Sequence, residues 1–368
     1  MEECDVAIIG AGPIGIELAC ALRETSCSVL HFEAGAIGAT VRWYAPETRF
    51  FSSAERLEIA GVPLLTRGQA KPTREEYLTY LRMVISARGV TVSTFERVVD
   101  VHRESDRFLL TTARSFHGVG GPEEVARIGA GGVPQQTLRR VSAKYVVLAI
   151  GGMHQPRELG IPGEDLPHVK HFLSDPHDFF GREVLLVGGK NSAVEAAIRL
   201  YRIGASVTMS YRGAGFDKDR IKFWLYPEIL GLIRKKAISF YAHTAPVQID
   251  VDTVTLRSTA DGANGHTHTV RADDVLLLTG YRQDPTLFRL FGVELNGEAQ
   301  SPTFDPETME TNVPGVFVAG TASAGTQASG VSEFIETGHI HVDRIFRALT
   351  GQLPSFAGGQ RTIWAPES

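Results

Sequence analysis

The sequence predicts an α/β fold class built from two doubly wound units, and three observations carry that prediction. The chain opens on an apolar run that breaks at glycines and continues as a helix, from Val6 through Gly10, Gly12 and Gly15 to Ala19. The same strand–turn–helix order returns from Glu183 through Gly188 and Gly189 to Ala197. Between and after the copies, apolar strands end in glycine at Gly151, Gly280 and Gly320. Internal repetition of one supersecondary unit is a fold-level signal. Two Rossmann-like units follow, the first discontinuous, the second inserted into it, in a three-layer ββα arrangement. The expected boundaries are residues 1–152 plus 281–350 for the first domain, 153–280 for the inserted one, and 351–368 as a tail.

In the first copy, strand, Gly-x-Gly-x-x-Gly turn and helix stand in the context a dinucleotide site requires. Gly10 permits the tight turn. Gly12 lets a pyrophosphate approach the backbone, and Gly15 lets helix and strand pack closely. The helix start offers N–H groups and partial positive charge to phosphates. Glu33 follows the second apolar run, Val29–Phe32, about 20 residues past the turn, where a carboxylate accepts hydrogen bonds from an adenosine ribose.

Ala34 to Lys71 is a long irregular stretch with Trp43, Tyr44, Phe50 and Phe51, broken by Pro46 and Pro63. It reads either as a crossing over a bound cofactor or as a surface excursion with an aromatic mini-core. Thr73 and Glu76 form a capping-box pattern before a helix with Tyr77, Leu78, Leu81, Val84 and Ile85 on its apolar face. Val90–Val92 reads as a third parallel strand. Val98–Arg103, Arg107–Thr112 and Arg139–Val141 read as a β-meander, its tip the glycine-rich insert within 117–138. Lys144–Gly152 reads as a separate buried strand.

The second copy has Lys190 at the middle glycine position and Ala193 at the third. Its second strand, Ser206–Arg212, ends on Tyr211 and Arg212, with Lys218 and Arg220 nearby and no carboxylate at the strand end. An arginine pairs with a 2′-phosphate that a carboxylate would repel. This site is therefore expected to take NADPH, with Lys190 leaning away or pairing with a phosphate. The first site is then left for FAD. Phe223–Arg234 reads as a helix; strands are expected near Ile238–Ala242, Val247–Val251, Thr253–Leu256 and Thr267–Arg271. His266 and His268 belong to an exposed hairpin. Asp274–Tyr281 closes the insert. Val313–Thr321, a strand ending in glycine, and a helix from about Val331 to Leu349 complete the first unit, the helix start facing a reduced flavin.

The chain has 368 residues, net charge −5, 43% hydrophobic and 21% charged residues, values of an ordinary globular protein of about two domains. The absent basic surplus argues against nucleic acid. No apolar run approaches the ~18 residues of a membrane span, and the first strand starts too early for a leader; a cytoplasmic protein is expected. Cys4, Cys20 and Cys27 form neither a disulfide framework nor a Cys-x-x-Cys pair, and no metal-ligand spacing occurs.

The whole arrangement, from about Asp5 to Thr350, resembles the thioredoxin-reductase-like two-dinucleotide-binding flavoproteins. Phe51-Ser52, Leu57-Glu58-Ile59, Gly61-Val62-Pro63, Pro72-Thr73-Arg74, Gly188 to Ala193, Ile221 to Trp224 and Phe334-Ile335-Glu336 are similar to the bacillithiol-disulfide (bacilliredoxin) reductase branch. The resemblance implies an NADPH-dependent FAD oxidoreductase, cytosolic and homo-oligomeric, passing electrons to a disulfide or other small-molecule or protein acceptor. It implies FAD on Gly10, Gly12, Pro13, Ile14, Gly15, Glu33, Ala34, Phe51, Val99, Gly151, Gly320 and Thr321. It implies NADPH on Gly188, Gly189, Lys190, Asn191, Ser192, Tyr211 and Arg212. The chain departs from the family in three places: no Cys-x-x-Cys pair, Ile14 where the bacillithiol branch has a cysteine, and Gly320-Thr321 for the usual Gly-Asp. The chemistry is therefore assigned to FAD, with no protein residue named as catalytic. Alternatives are a ferredoxin–NADP reductase-like electron-transfer flavoprotein, a flavin monooxygenase (His168–Phe172 loosely resembles that class's linker motif), or a non-catalytic nucleotide sensor.

Overall fold

The structure is a computed structural model that describes residues 1–114, 137–260, 265–327 and 333–357. The glycine-rich insert, apart from its last residues, and the tail beyond residue 357, with Trp364, lie outside the described residues. Two compact units form: one from Met1–Trp43, Arg49–Gln155 and the chain from Tyr281, the other from Tyr44–Thr48 and Pro156–Gly280. The fold is α/β, with mixed sheets.

In the first unit, β1 (Glu2–Ile9) leads through the glycine turn into α1 (Pro13–Leu22) and then β2 (Val29–Phe32). Short helices α2 (Ala39–Arg42) and α3 (Ala54–Leu57) punctuate the long excursion. α4 (Arg74–Arg88) follows, with the expected reciprocal capping box between Thr73 and Glu76 and a left-handed Gly89 at its end. β3 (Glu96–Glu104), β4 (Arg107–Arg114) and β5 (Thr137–Leu148) complete the sheet, in the order β2-β1-β5-β4-β3, with Val316–Val318 also on β5.

Two strand expectations are corrected. Arg139–Val141 and Lys144–Gly152 belong to one strand, β5. It runs parallel to β1 from Val141 to Leu148. Its other edge changes neighbour, from antiparallel β4 at Thr137–Ala143 to parallel Val316–Val318 at Val146–Leu148. One strand serves both layers, and no turn is needed between its halves. Val90–Val92 is no strand. Only Ser93 bridges Phe32, because the left-handed Phe95 (φ 55°) turns the chain straight into β3.

The excursion is organised by aromatics. Tyr77 and Tyr80 of α4 are buried; their hydroxyls donate to Leu57 O at 3.1 Å and Val62 O at 2.6 Å, and Phe50 tilts against Tyr77 at 4.7 Å. These bonds satisfy buried carbonyls of a segment with few ladder bonds of its own.

In the second unit, five parallel strands run in the order Ser239–Ala242, Ser206–Tyr211, Glu183–Val187, Asp274–Leu277, Val169–Lys170. Asn191–Arg202 and Leu225–Arg234 are its helices. An antiparallel sheet of Thr244–Ile249, Thr253–Ser258 and Thr267–Arg271 packs on it, with Leu185, Val187, Ile249, Val254, Leu256, Val275 and Leu277 in a shared core. His266 and His268 are exposed, as expected, and no cluster that could hold a metal exists among the described residues. Arg199 donates to Thr48 Oγ1 at 2.7 Å and to Pro46 O, which ties Tyr44–Thr48 to this unit. The closing helix of the first unit is Ile335–Thr350.

Candidate functional site

The carboxyl ends of the parallel strands of the first unit come level: Ile9 pairs with Phe32 and Leu148, and Val318 with Leu148. The glycines of the turn divide their work in a way the geometry makes explicit. A Cβ on Gly10 (φ +107°) would lie 2.3 Å from Ala149 O, and one on Gly15 would lie 2.0 Å from Gly10 O. Both are glycine because the backbone packs against itself. A Cβ on Gly12 would meet nothing within 4 Å, and Gly12 has an ordinary φ of −77°. Its bare face is open, and packing gives no reason for a glycine there. Pro13 occupies the first turn of α1, whose N-terminus has no side-chain cap, leaving its donors for an anion.

Glu33 is buried and reaches back to the turn. Oε2 accepts Ala11 N–H and Oε1 accepts Gly35 N–H, each at 2.7 Å. Burial pushes its carboxyl pKa up, and the two backbone bonds oppose the shift. Two bonds leave roughly half of a carboxylate's lone-pair sites for ribose hydroxyls. Ala34 is half-buried beside it. Gly151 and Thr321 also meet: Thr321 Oγ1 would lie 3.8 Å from a Cβ on Gly151. Ile14 fills a notch left by two glycines. Its side chain would lie 3.2 Å from a Cβ on Gly320 and 2.7 Å from one on Gly338. Phe51 is half-buried in the excursion, its carbonyl accepting from Lys71 Nζ. Val99 is exposed at the bulge of β3, further along the strand than Glu96, whose N–H meets Glu33 O at 2.9 Å.

Several polar groups around this site were given no role by sequence. His31 Nε2 donates to Gly10 O at 2.9 Å, and burial pushes the imidazole pKa down to about 4, so the turn rests on a neutral ring. Gln283 Nε2 donates to Gly151 O at 2.9 Å and Ala322 O at 3.0 Å, which joins the two glycine-ended loops. Its Oε1 is buried without a partner among the described residues. Gly320 N–H donates to His341 Nδ1 at 3.0 Å, Ser52 Oγ to Glu336 Oε1, and Glu17 accepts from Ala60 N–H at 3.0 Å and contacts His339 Nδ1 at 2.6 Å. The available signal was chemical: a histidine inside an apolar strand, and a glutamate on the buried face of α1.

Backbone bonds align the second copy with the first residue by residue. Gly10 N–H donates to Phe32 O at 2.8 Å, and Gly188 N–H to Ser210 O at 3.0 Å; Ile16 and Val194 close the first helical turns on Gly12 and Lys190. Tyr211 therefore occupies the position of Glu33, and Arg212 the one after it. The Tyr211 ring lies over Gly189, where a Cβ would fall 2.5 Å from it, and stacks on Phe216 at 6.1 Å. Asn191 Oδ1 accepts Lys222 N–H at 2.8 Å and so anchors the loop that follows Arg212; Ser192 is exposed beside it. Lys190 occupies the N-cap position without a side-chain cap bond, and its ammonium is held below its usual pKa by burial and by Arg220, Arg157 and Arg212.

These donors fit two dinucleotides: an open glycine face, uncapped helix starts, an acceptor at the first ribose position, and cations at the second. Comparison with known proteins agrees. The model of the pyridine nucleotide-disulphide oxidoreductase family matches residues 7–117 and 123–320. The bacilliredoxin reductase Bdr of Bacillus subtilis (strain 168) is 34% identical over 335 residues, 91% of this chain and 94% of that protein. A ferredoxin–NADP reductase of Ignicoccus hospitalis is 27% identical over 322 residues, 86% and 89% of the two chains. The solved bacillithiol disulfide reductase Bdr (YpdA) of Bacillus cereus superposes with a TM-score of 0.83 at 33% identity, covering 95% of this chain and 99% of its own. Together with the paired glycine turns, these matches show that the chain belongs to the pyridine nucleotide-disulphide oxidoreductase family and is an NADPH-dependent flavoprotein oxidoreductase.

Proposed function

We propose that the chain is a bacillithiol-disulfide-reductase-like enzyme, with FAD on the first glycine turn and NADPH on the second. The carrying observation is one backbone arrangement used twice with opposite recognition groups: Glu33 meets Ala11 N–H, whereas Tyr211 covers Gly189 and Arg212 follows it. Bound FAD would supply the redox chemistry between NADPH and a disulfide or another acceptor, with the protein binding and orienting the two nucleotides. Gly10, Gly12, Pro13, Gly15 and Glu33 hold its adenosine diphosphate half; Ile14, Ala34, Phe51, Val99, Gly151, Gly320 and Thr321 complete the set. Gly188, Gly189, Lys190, Asn191, Ser192, Tyr211 and Arg212 hold NADPH. Residues 1–152 plus 281–350 serve the flavin and 153–280 the nicotinamide dinucleotide, in a cytoplasmic homo-oligomer. No helix among the described residues is long and apolar enough to cross a membrane.

Two of the chain's three thiols, Cys4 and Cys20, are poorly suited to disulfide exchange. Burial pushes Cys4 up to about 11 and Cys20 up to about 12, and exchange needs a thiolate. A disulfide acceptor that supplies its own leaving thiols needs neither of them. The same fact supports the second reading, electron transfer to an iron–sulfur protein, which needs no cysteine here. Anaerobic mixing of the purified protein with NADPH tests the core of the proposal: the flavin absorbance is expected to bleach, and an unchanged spectrum refutes it. NADPH consumption with bacillithiol disulfide or with ferredoxin then separates the two acceptors.

A further inference from the structure

The glycine turn of the second unit is flanked on both sides. On one side Gly188 N–H bonds Ser210 O at 3.0 Å, next to Tyr211 and Arg212. On the other, a Cβ on Gly188 would lie 2.7 Å from Leu278 O, at the carboxyl end of Asp274–Leu277. Arg157 is fixed there. Its N–H donates to Gly280 O at 2.9 Å, and its carbonyl accepts Thr279 Oγ1 at 2.7 Å. Gly280 is left-handed at φ +99°, and a Cβ on it would lie 3.6 Å from Arg157 Cδ, so the arginine stem runs across the bare glycine. Lys190 follows the turn at the N-cap position of the helix, and Arg157 is one of three guanidiniums whose charge acts on its ammonium. Gathered cations raise each other's energy and favour an anion among them.

A dinucleotide laid across these strand ends has its adenosine on the Arg212 side and its pyrophosphate over the turn. We propose that Arg157 is a nucleotide-binding residue that pairs with the pyrophosphate from the flank opposite Arg212. Arg212 then distinguishes the 2′-phosphate, and Arg157 reads the phosphates that NADP⁺ and NAD⁺ share. This rests on the second glycine turn being the nicotinamide-dinucleotide site.

The test is titration calorimetry of the flavin-loaded protein with NADP⁺ and with NAD⁺, without turnover. Arg157→Gln is expected to weaken both by the same factor, about tenfold, or about 1.4 kcal/mol. Arg212→Gln is expected to weaken NADP⁺ alone. Arg157→Lys keeps the charge and loses the fork; it is expected to weaken both equally and by less. Every variant keeps the two backbone bonds of residue 157, and circular dichroism checks the fold. If Arg157→Gln does not fold, Arg157→Lys decides by the same criterion. Unchanged affinity for both nucleotides, or a loss confined to NADP⁺, overturns the assignment. A wild-type protein that binds neither nucleotide overturns the site itself, which is a separate outcome.

Discussion

Gly12→Ala separates a glycine kept for a ligand from one kept for the fold. At Gly12 a Cβ meets no atom within 4 Å, and the backbone has φ −77° and ψ 180°. Two small effects on stability oppose each other. Restricting the unfolded chain stabilises by about 0.4–1 kcal/mol, and alanine is worse than glycine at an N-cap by roughly 0.5–1 kcal/mol. The net change is expected to stay within about 1 kcal/mol. The effect on FAD is large, because a methyl group on the open face keeps a diphosphate from the helix N–H groups. Losing two charge-assisted hydrogen bonds at about 1.5–3 kcal/mol each weakens FAD by roughly 10²- to 10⁴-fold. Thermal unfolding of the flavin-stripped protein and flavin retention by absorbance measure the two quantities. Gly15→Ala is the contrast: its Cβ would sit 2.0 Å from Gly10 O, and it is expected to prevent folding with or without FAD. Wild-type flavin content in Gly12→Ala, or an unfolded apoprotein, would refute the division of roles.

Glu33→Gln must face an amide NH₂ toward Ala11 or Gly35 N–H; it is expected to cost about 1–3 kcal/mol in urea unfolding and to lower flavin retention. Glu195 is half-buried in the Asn191–Arg202 helix, and desolvation there raises its pKa from 4.5 to about 7 against the pull of Arg199. The folded state thus holds this proton more tightly than the unfolded chain, and stability falls as pH rises from about 4.5 to 7, by about 3 kcal/mol. Glu195→Gln is expected to be more stable than wild type at pH 8 and equal to it near pH 4.5; denaturant unfolding showing no gain at pH 8 contradicts this. Thr73→Ala removes one side of the capping box and is expected to cost about 1 kcal/mol, read as a lower urea midpoint with unchanged slope.

Much of this molecule was legible in the order of its residues, because the informative features are local. A glycine turn between a strand and a helix, Thr73 three residues before Glu76, and Gly89 after a helix each act within a few bonds of themselves. The repeat was legible for the same reason, and so was the change from Glu33 to a Tyr211–Arg212 end. What needed the tertiary structure were pairings between residues distant in the chain. That β5 is one strand depends on β1 lying along it while β4 gives way to Val316–Val318. That Tyr211, and not Arg212, stands at the Glu33 position depends on which carbonyl Gly188 bonds. The notch around Ile14 exists only because Gly338 is brought against it, and His31 and Gln283 are tied to glycine carbonyls outside their own segments. Sequence determined the two turns and their opposite ligand chemistry, since backbone conformation and side-chain charge are written residue by residue. Tertiary structure decided which buried polar groups hold those turns in place, since a buried hydrogen bond is specified by proximity in space.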